Sequence, residues 1–552
     1  MGKRVTIIPL QGLFTGKESP AVRILWGACI LFLLLFIVYP LVRVFVEADR
    51  ESWRRVLSSS RWIEAGGHTL LLILLSSSLS VLTGFIYAYG VIRGGLPLTR
   101  LFSFIPVLHL VTPPFVGGLS FMLLFGRQGF FTKTLFGLDI SLYGLPGLLI
   151  AQTLCFFPLA FLIFKETFEG INPSLEFAAR NTGAGRLAVF RTITLPLSLP
   201  GMVQAALFIA ISVMSDFGNP MLIGGRFSVL AVELYAQLTG WAERGASAVL
   251  GIILLCPALV LFLLQRLLLR KKGAHTATIS GRASAMPLPL PSLPVRVLLF
   301  LFCALIAFIV LAQFLAVAGG AFSRIWGIDA RFTLDHFFAS FSYRTELFNT
   351  LSFAFFAAAG AALISSVSAF LVLRTELPFR GIADSLVTLP AAIPGSLVGL
   401  AYVLAFNQGI LHLTGTRLVI ILVMIISYLP AGFRIISSSL LRIRTSLDDS
   451  ARSLGASRLR LFADILCPII AKGIVSAFVF TFVQASGTLS AVIFLISFKT
   501  KLTSIVILNL AGQGDWGRSA ALAFILTAVT FLALGLLRLI AGRRFLHTLL
   551  EK

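Results

Sequence analysis

Two polar islands interrupt an otherwise apolar chain, and they are nearly the same island. Residues 447–468 read LDDSARSLGASRLRLFADILCP, and residues 175–196 read LEFAARNTGAGRLAVFRTITLP. Acids, arginines and alanines gathered around a Gly suit a docking surface, because small residues let a partner approach closely and the charges set its orientation. A third feature is a lone acid in an apolar segment, Asp216, followed by the helix-breaking run Gly218-Asn219-Pro220. An ionisable group in such a segment is costly to desolvate and therefore reads as functional. No nucleophile–base set and no metal-ligand cluster stands out, so neither a catalytic nor a metal site is expected. The phosphate loop G-x-x-x-x-G-K-[ST] does not occur, so ATP is not bound by that route.

The islands belong to a longer repeat. Glu176 matches Asp448, 272 residues on, and at that offset Leu175, Ala179, Arg180, Gly183, Arg186, Pro196 and Gly201 meet Leu447, Ala451, Arg452, Gly455, Arg458, Pro468 and Gly473. Nearer the N-terminus the offset drifts to 281, where Arg93 meets Arg374 and Pro97 meets Pro378. Ser174 and Ser446 precede acidic positions with the spacing of a helix start, and Ser446 to Asp449 resembles a capping box. Gly183 and Gly455 supply the permissive backbone on which a helix ends in a left-handed turn. Each island is expected to fold as helix, Gly turn, helix.

The elements that must carry these islands are membrane spans. The chain has 552 residues, 58% hydrophobic and 12% charged, where a soluble protein carries roughly a quarter charged residues. Apolar stretches of about 20 residues suffice to cross a hydrocarbon core as helices. Twelve are expected: 24–45, 68–92, 101–125, 143–164, 202–223, 248–269, 295–317, 350–373, 383–406, 418–433, 474–496 and 520–540. Arg434 is expected to interrupt the tenth early and to snorkel from a helix end. The net charge of +23 does not point to nucleic acid, because Lys and Arg cluster in alternate loops. Lys3/Arg4, Arg93/Arg100, the loop 165–191, the stretch 266–272, Arg374/Arg380, the loop 434–472 and Arg543/Arg544 all fall on one side if both termini are cytoplasmic. Cys29, Cys155, Cys256, Cys303 and Cys467 form no CxxC and read as small packing residues. Isolated His68 and His109 read as structural.

The fold expected is an all-α polytopic membrane protein with two homologous six-helix units in parallel repeat. The first unit covers residues 1–269 with its polar loop at 172–196, and the second covers 295–552 with its loop at 444–468. The stretch 270–294, rich in Ser, Ala, Gly and then Pro, reads as a cytoplasmic linker.

The pattern acidic-x-small-Ala-x-x-x-Gly, then Ile-x-x-Pro, before the penultimate span of a six-span unit resembles the EAA loop of ATP-binding-cassette importer permeases of the type I fold. Both islands carry it, and the order of spans matches over nearly the whole chain. The copies depart from the pattern at Phe177 and Asp449, with Glu176 and Asp448 one place earlier. The resemblance implies a coupling helix that docks on a cytoplasmic ATPase, through Glu176, Ala179, Arg180 and Gly183 in one copy and Asp448, Asp449, Ala451, Arg452 and Gly455 in the other. It further implies two ATPase copies that bind ATP and Mg, an extracytoplasmic binding protein, a bacterial inner membrane, and no cofactor in this chain itself. Within that family the fused double unit looks most like ferric-iron permeases, on the stretches 215–235 and 486–508. Thiamine, polyamines and 2-aminoethylphosphonate are the alternative cargoes, and a twelve-span secondary transporter is the alternative class.

The transport path is expected to run past Asp216 and Asn219 in the first unit. In the second it runs past Gln484, Ser486 and Thr488, a small and polar segment in the corresponding place. The competing reading of both segments is polar packing between helices.

Overall fold

A chain that can leave no amide unpaired in hydrocarbon must cross as helices or as a closed barrel, and the described residues of this one cross as helices, with one short hairpin, Ser323–Ile325 and Asp329–Phe332, between two of them. The computed structural model describes residues 18–112, 114–138, 140, 142–276, 290–407 and 411–541. Among the described residues nine helices are long and apolar enough to span a bilayer unaided. They coincide with nine of the twelve expected stretches, including Pro20–Glu47, Ser60–Arg93, Leu145–Gly170 and Leu293–Phe322. The remaining three are broken. The third stretch is Thr99–Val111 followed by Pro114–Phe125. The ninth bends by 111° between Arg380–Ala392 and Gly395–Phe406, and the eleventh by 73° between Arg458–Ile469 and Ala471–Ser486. Proline accounts for the breaks at 114, 390 and 394, since it has no N–H to give and its ring clashes with the preceding turn.

Three expected boundaries are corrected. The fifth and eleventh helices stop at Ser215 and Ser486, short of residues 223 and 496, because polar side chains and Gly take over where the apolar run still continues. The tenth runs through Arg417–Leu441, so Arg434 lies inside it and does not end it. The sixth helix extends to Thr276 and the seventh begins at Leu293. The middle of the expected linker (277–289), Lys3, Arg4, Arg543 and Arg544 lie outside the described residues.

Each unit lends its first span to the other. In the first span, Tyr39 donates its hydroxyl to Ala405 O at 3.3 Å, and Tyr402 donates back to Phe36 O at 2.7 Å. Cys29 Sγ lies 3.4 Å from Ser368 Oγ of the eighth span. Reciprocally, in the seventh span Arg296 donates to Gly95 O at 2.6 Å, and Phe300 sets its ring edge against Phe102 at 5.8 Å. Arg266 of the sixth span donates to Asp384 at 3.0 Å and to Ser385 at 2.7 Å, a further tie across the units.

Lipid tails are as apolar as leucine, so membrane helices hold together by close packing of small residues. A Cβ at Gly84 of the second span would lie 2.3 Å from Ala160 Cβ of the fourth. In the second unit the same crossing reverses its parts: Ser365 stands on the eighth span, and Gly432 on the tenth provides the room, with Ser365 Oγ 2.7 Å from where its Cβ would be. Another pair is kept unchanged. Gly201 fits against Thr167, and Gly473 against Ser439, each hydroxyl 2.4 Å from the added Cβ. This close approach is the physical content of the Gly201/Gly473 match in the sequence.

Candidate functional site

The first island folds as Pro173–Asn181, a Gly turn, and a second helix from Arg186. The second folds as Ser446–Ser453, a Gly turn, and a helix from Arg458. Gly183 has φ +90 and Gly455 φ +84. Around each, two backbone bonds close a Schellman motif. Ala184 N–H donates to Ala179 O at 3.0 Å and Gly183 N–H to Arg180 O at 3.0 Å; Ala456 donates to Ala451 O at 3.0 Å and Gly455 to Arg452 O at 2.9 Å. Beyond the turn the chain widens into a π-helical stretch before Pro196 and before Pro468. Proline cannot donate to the ladder and crowds the carbonyl one turn earlier, which favours this wider winding.

The expected serine caps do not form. Asn172 caps the first helix by accepting from Ser174 N–H at 3.0 Å, since Pro173 sets the helix start two residues earlier than a Ser174 cap predicts. Thr445 stands at the N-cap of the second with no side-chain cap, and Ser446 already lies within the helix.

The repeated acids face inward. Glu176 and Asp448 are only 5% and 6% exposed. Arg93, at the end of the second span, donates to Glu176 at 3.2 Å and to the carbonyls of Phe168 and Ile171 at 2.7 and 2.9 Å. Arg374, at the end of the eighth, repeats the arrangement with Asp448 at 3.0 Å, Leu440 O at 2.6 Å and Ile443 O at 2.7 Å. One guanidinium thus fastens the end of one span, the loop after another, and the island helix. A buried charge left without such a partner costs several kcal/mol, which makes this a rigid mount. Ala451 is buried and Ala179 half-buried, whereas Arg180, Gly183, Asp449, Arg452 and Gly455 face outward. Two leucines crown the outward faces, Leu187 at 60% exposure and Leu454 at 90%.

The two mounts differ in detail. The second oxygen of Glu176 accepts from Thr194 Oγ1 at 3.0 Å. The matching residue in the second unit is Leu466, and Asp448 Oδ1 is buried with no hydrogen-bond partner. Arg186 is exposed. Its match Arg458 donates to Arg374 O at 2.5 Å and pairs with Glu18 at 3.1 Å. The start of the first span is thereby tied to the island of the opposite unit.

Between the units lies a cavity of about 890 Å³, lined by the third to fifth spans and the ninth to eleventh, with Phe531 of the twelfth. Of the expected path residues, Asp216, Gln484 and Thr488 line it. Asn219 and Ser486 are buried behind the lining. Asp216 caps the break after the fifth helix, accepting from Gln152 Nε2 at 2.9 Å and Asn219 Nδ2 at 2.8 Å. Gln152 is itself held by Ser76 Oγ at 2.8 Å. Thr488, 272 residues on, occupies the corresponding place with Tyr428, whose hydroxyl is 2.5 Å from Thr488 Oγ1 and donates to Gln484 O at 3.0 Å. The two helix breaks meet near the middle, where a Cβ on Gly218 would sit 3.2 Å from Leu489. His68 stacks on Phe227 at 4.0 Å, away from this lining.

Arg93, Arg374, Gln152, Tyr428, Glu18 and Arg434 escaped the sequence reading as site residues. The match of Arg93 with Arg374 was a usable signal, because an acid repeated in two islands calls for a repeated cation. Nothing local marks the others.

The family model described as binding-protein-dependent transport system inner membrane component matches residues 80–273 and again 361–545. Over 522 residues the chain is 31% identical to the ferric transport system permease protein FbpB of Actinobacillus pleuropneumoniae, covering 91% of this chain and 75% of that protein. It is 31% identical to the putative ferric transport system permease protein FbpB 1 of Haemophilus influenzae, over 86% of this chain and 78% of that one. The molybdenum transport system permease protein ModB of Escherichia coli K12 is 30% identical over 39% of this chain but 96% of its own length.

Proposed function

Because the chain belongs to the family of binding-protein-dependent transport system inner membrane components, we propose that it forms the membrane path of an ATP-driven importer of ferric iron. The observation that carries the cargo is the span of the matches. Relatives named for ferric transport align across both units, whereas the molybdenum permease aligns over 226 residues, less than the length of one. ATP-dependent uptake of radiolabelled ferric iron into vesicles bearing the whole importer tests it. Uptake of thiamine or a polyamine in its place, or iron uptake that needs no ATPase, would overturn it.

In this reading two copies of an ATPase subunit, which hold ATP and Mg, dock on the two islands from the cytoplasm. The outward residues Arg180, Asp449, Arg452, Leu187 and Leu454 form the contact, and the inward acids hold the contact in place. Glu176, Asp448 and Ala451 therefore act as positioning residues. A binding protein delivers cargo on the opposite face. Closure of the ATPase pair draws the islands together, and the rigid Arg mounts pass that motion to the second and eighth spans, opening the cavity to alternate sides. Both termini and the segment 270–294, which joins the units, are cytoplasmic in a bacterial inner membrane.

Leu454→Cys tests orientation and docking together. An impermeant thiol reagent should leave this residue unlabelled in intact cells and label it in inverted vesicles, and a short bifunctional reagent should link it to the ATPase subunit. Labelling from outside would reverse the orientation.

Asp216→Asn keeps the shape of the side chain and removes its charge. The amide turns one acceptor into a donor facing Gln152 or Asn219, so a loss of about 1–3 kcal/mol is expected in thermal unfolding. Uptake per assembled complex should also fall, since a carboxylate lowers the potential of a dry path for a cation. Uptake unchanged per complex would confine Asp216 to holding the helix break.

A further inference from the structure

Two charged groups line the central cavity, Asp216 and Arg434, and neither has a charged counterpart in the repeat. Arg434, on the tenth span, lines the cavity and is exposed to it. The residue 272 positions earlier is Leu162, which lines the cavity from the fourth span. A leucine serves the packing at one site, so the guanidinium at the other is not demanded by the fold. Nor does Arg434 end its helix, which continues seven residues to Leu441, about 10 Å further at 1.5 Å per residue. Asp216 of the same lining is engaged by Gln152 and Asn219, and Thr488 by Tyr428. Among the described residues no carboxylate is in salt-bridge contact with Arg434, and the acid that acts on it from further off, Asp384, is already paired with Arg266 at 3.0 Å.

We propose that Arg434 binds an anionic oxygen ligand of the cargo, so that ferric iron crosses this chain still carrying carboxylate or oxyanion ligands. The proposal rests on the ferric reading above and deepens it. A hard cation is held by about six oxygen donors, and this lining offers one carboxylate and scattered hydroxyls. A guanidinium in a poorly solvated cavity repels a bare trivalent ion. The same group recognises a carboxylate or phosphate through two parallel hydrogen bonds. Ligands that cancel the metal charge turn that repulsion into a contact. A volume of about 890 Å³ leaves room for them, since a water takes only about 30 Å³. A single such contact is weak enough for release, as conduction requires. The iron stays ferric throughout and no covalent step is involved.

The test uses vesicles containing the whole importer with its binding protein and ATPase. Ferric citrate is supplied with separate labels on iron and citrate, and ferric phosphate with labels on iron and phosphate. Wild-type vesicles should take up iron and one of the two anions in constant ratio, and the arm that does so identifies the ligand as carboxylate or oxyanion. Arg434→Gln should lower that uptake about tenfold per assembled complex, the loss of one charge-assisted pair, and Arg434→Lys should fall between. Co-purification of the ATPase subunit with each variant confirms assembly. Iron entering without either anion, or Arg434→Gln transporting as fast as wild type, overturns the proposal. Vesicles that take up no iron in either form overturn the ferric reading and this proposal with it.

Discussion

Arg374→Ala is expected to release the second island from its mount and to cut ATP-driven uptake by well over tenfold. The variant leaves Asp448 buried, with one oxygen already lacking a partner and the other newly stripped of its 3.0 Å bond. It also frees the carbonyls of Leu440 and Ile443 at the end of the tenth span. Breaking a buried ion pair from one side costs about 3–5 kcal/mol, because the remaining charge has no solvent and no counterion. The effect should exceed that of Arg93→Ala, since Glu176 keeps its bond from Thr194. Removing both charges is different. The double variant Arg374→Met with Asp448→Leu leaves no charge buried and should regain most of the thermal stability. It should not regain full coupling, because the carbonyls stay unfastened. Thermal unfolding and uptake measured on the same preparations separate these terms. Equal behaviour of Arg374→Ala and wild type would remove the clamp from the transmission path.

Gly455→Pro and Gly183→Pro should abolish coupling while leaving the chain in the membrane. Both glycines hold φ near +84 to +90, and proline is locked near −65°. Proline also deletes the N–H that donates to Arg452 O or Arg180 O. The Schellman turn cannot close, and the second helix of the island leaves the first at a new angle. Alanine isolates the backbone term. A Cβ at either position meets nothing within 4 Å, so Gly→Ala costs only the left-handed conformation, about 1–2 kcal/mol. Uptake and ATPase stimulation should therefore fall in the order Gly, Ala, Pro at each island. Proline variants that transport at the wild-type rate would show that the turn does not set the docking geometry.

Membrane crossing, the parallel repeat and the two Gly turns are legible in the chain itself, because each depends on a local property. Apolar stretches of about 20 residues must be helical in hydrocarbon wherever they sit. Gly183 and Gly455 mark left-handed turns because other residues resist positive φ. Internal matches are visible without any coordinates, down to Gly201 and Gly473. Helix ends are less legible. The fifth and eleventh apolar runs continue past the points where Ser215 and Ser486 end the helices, since hydropathy does not register a break whose backbone groups are satisfied by Asp216 or Thr488.

Only the tertiary structure decided what each charge does. A short island helix carries acids and arginines on every side, so its periodicity does not tell which face is buried. The second span's end settles it by presenting Arg93, some eighty residues from Glu176, and the eighth does the same for Asp448 with Arg374. The same holds for Arg434. In the sequence it looks like the end of an apolar run. Only the packing of spans from two units, with their first spans exchanged, turns its guanidinium toward a shared cavity. Backbone preference and hydropathy are written residue by residue, whereas a charge takes its role from whatever the fold brings within about 3 Å of it.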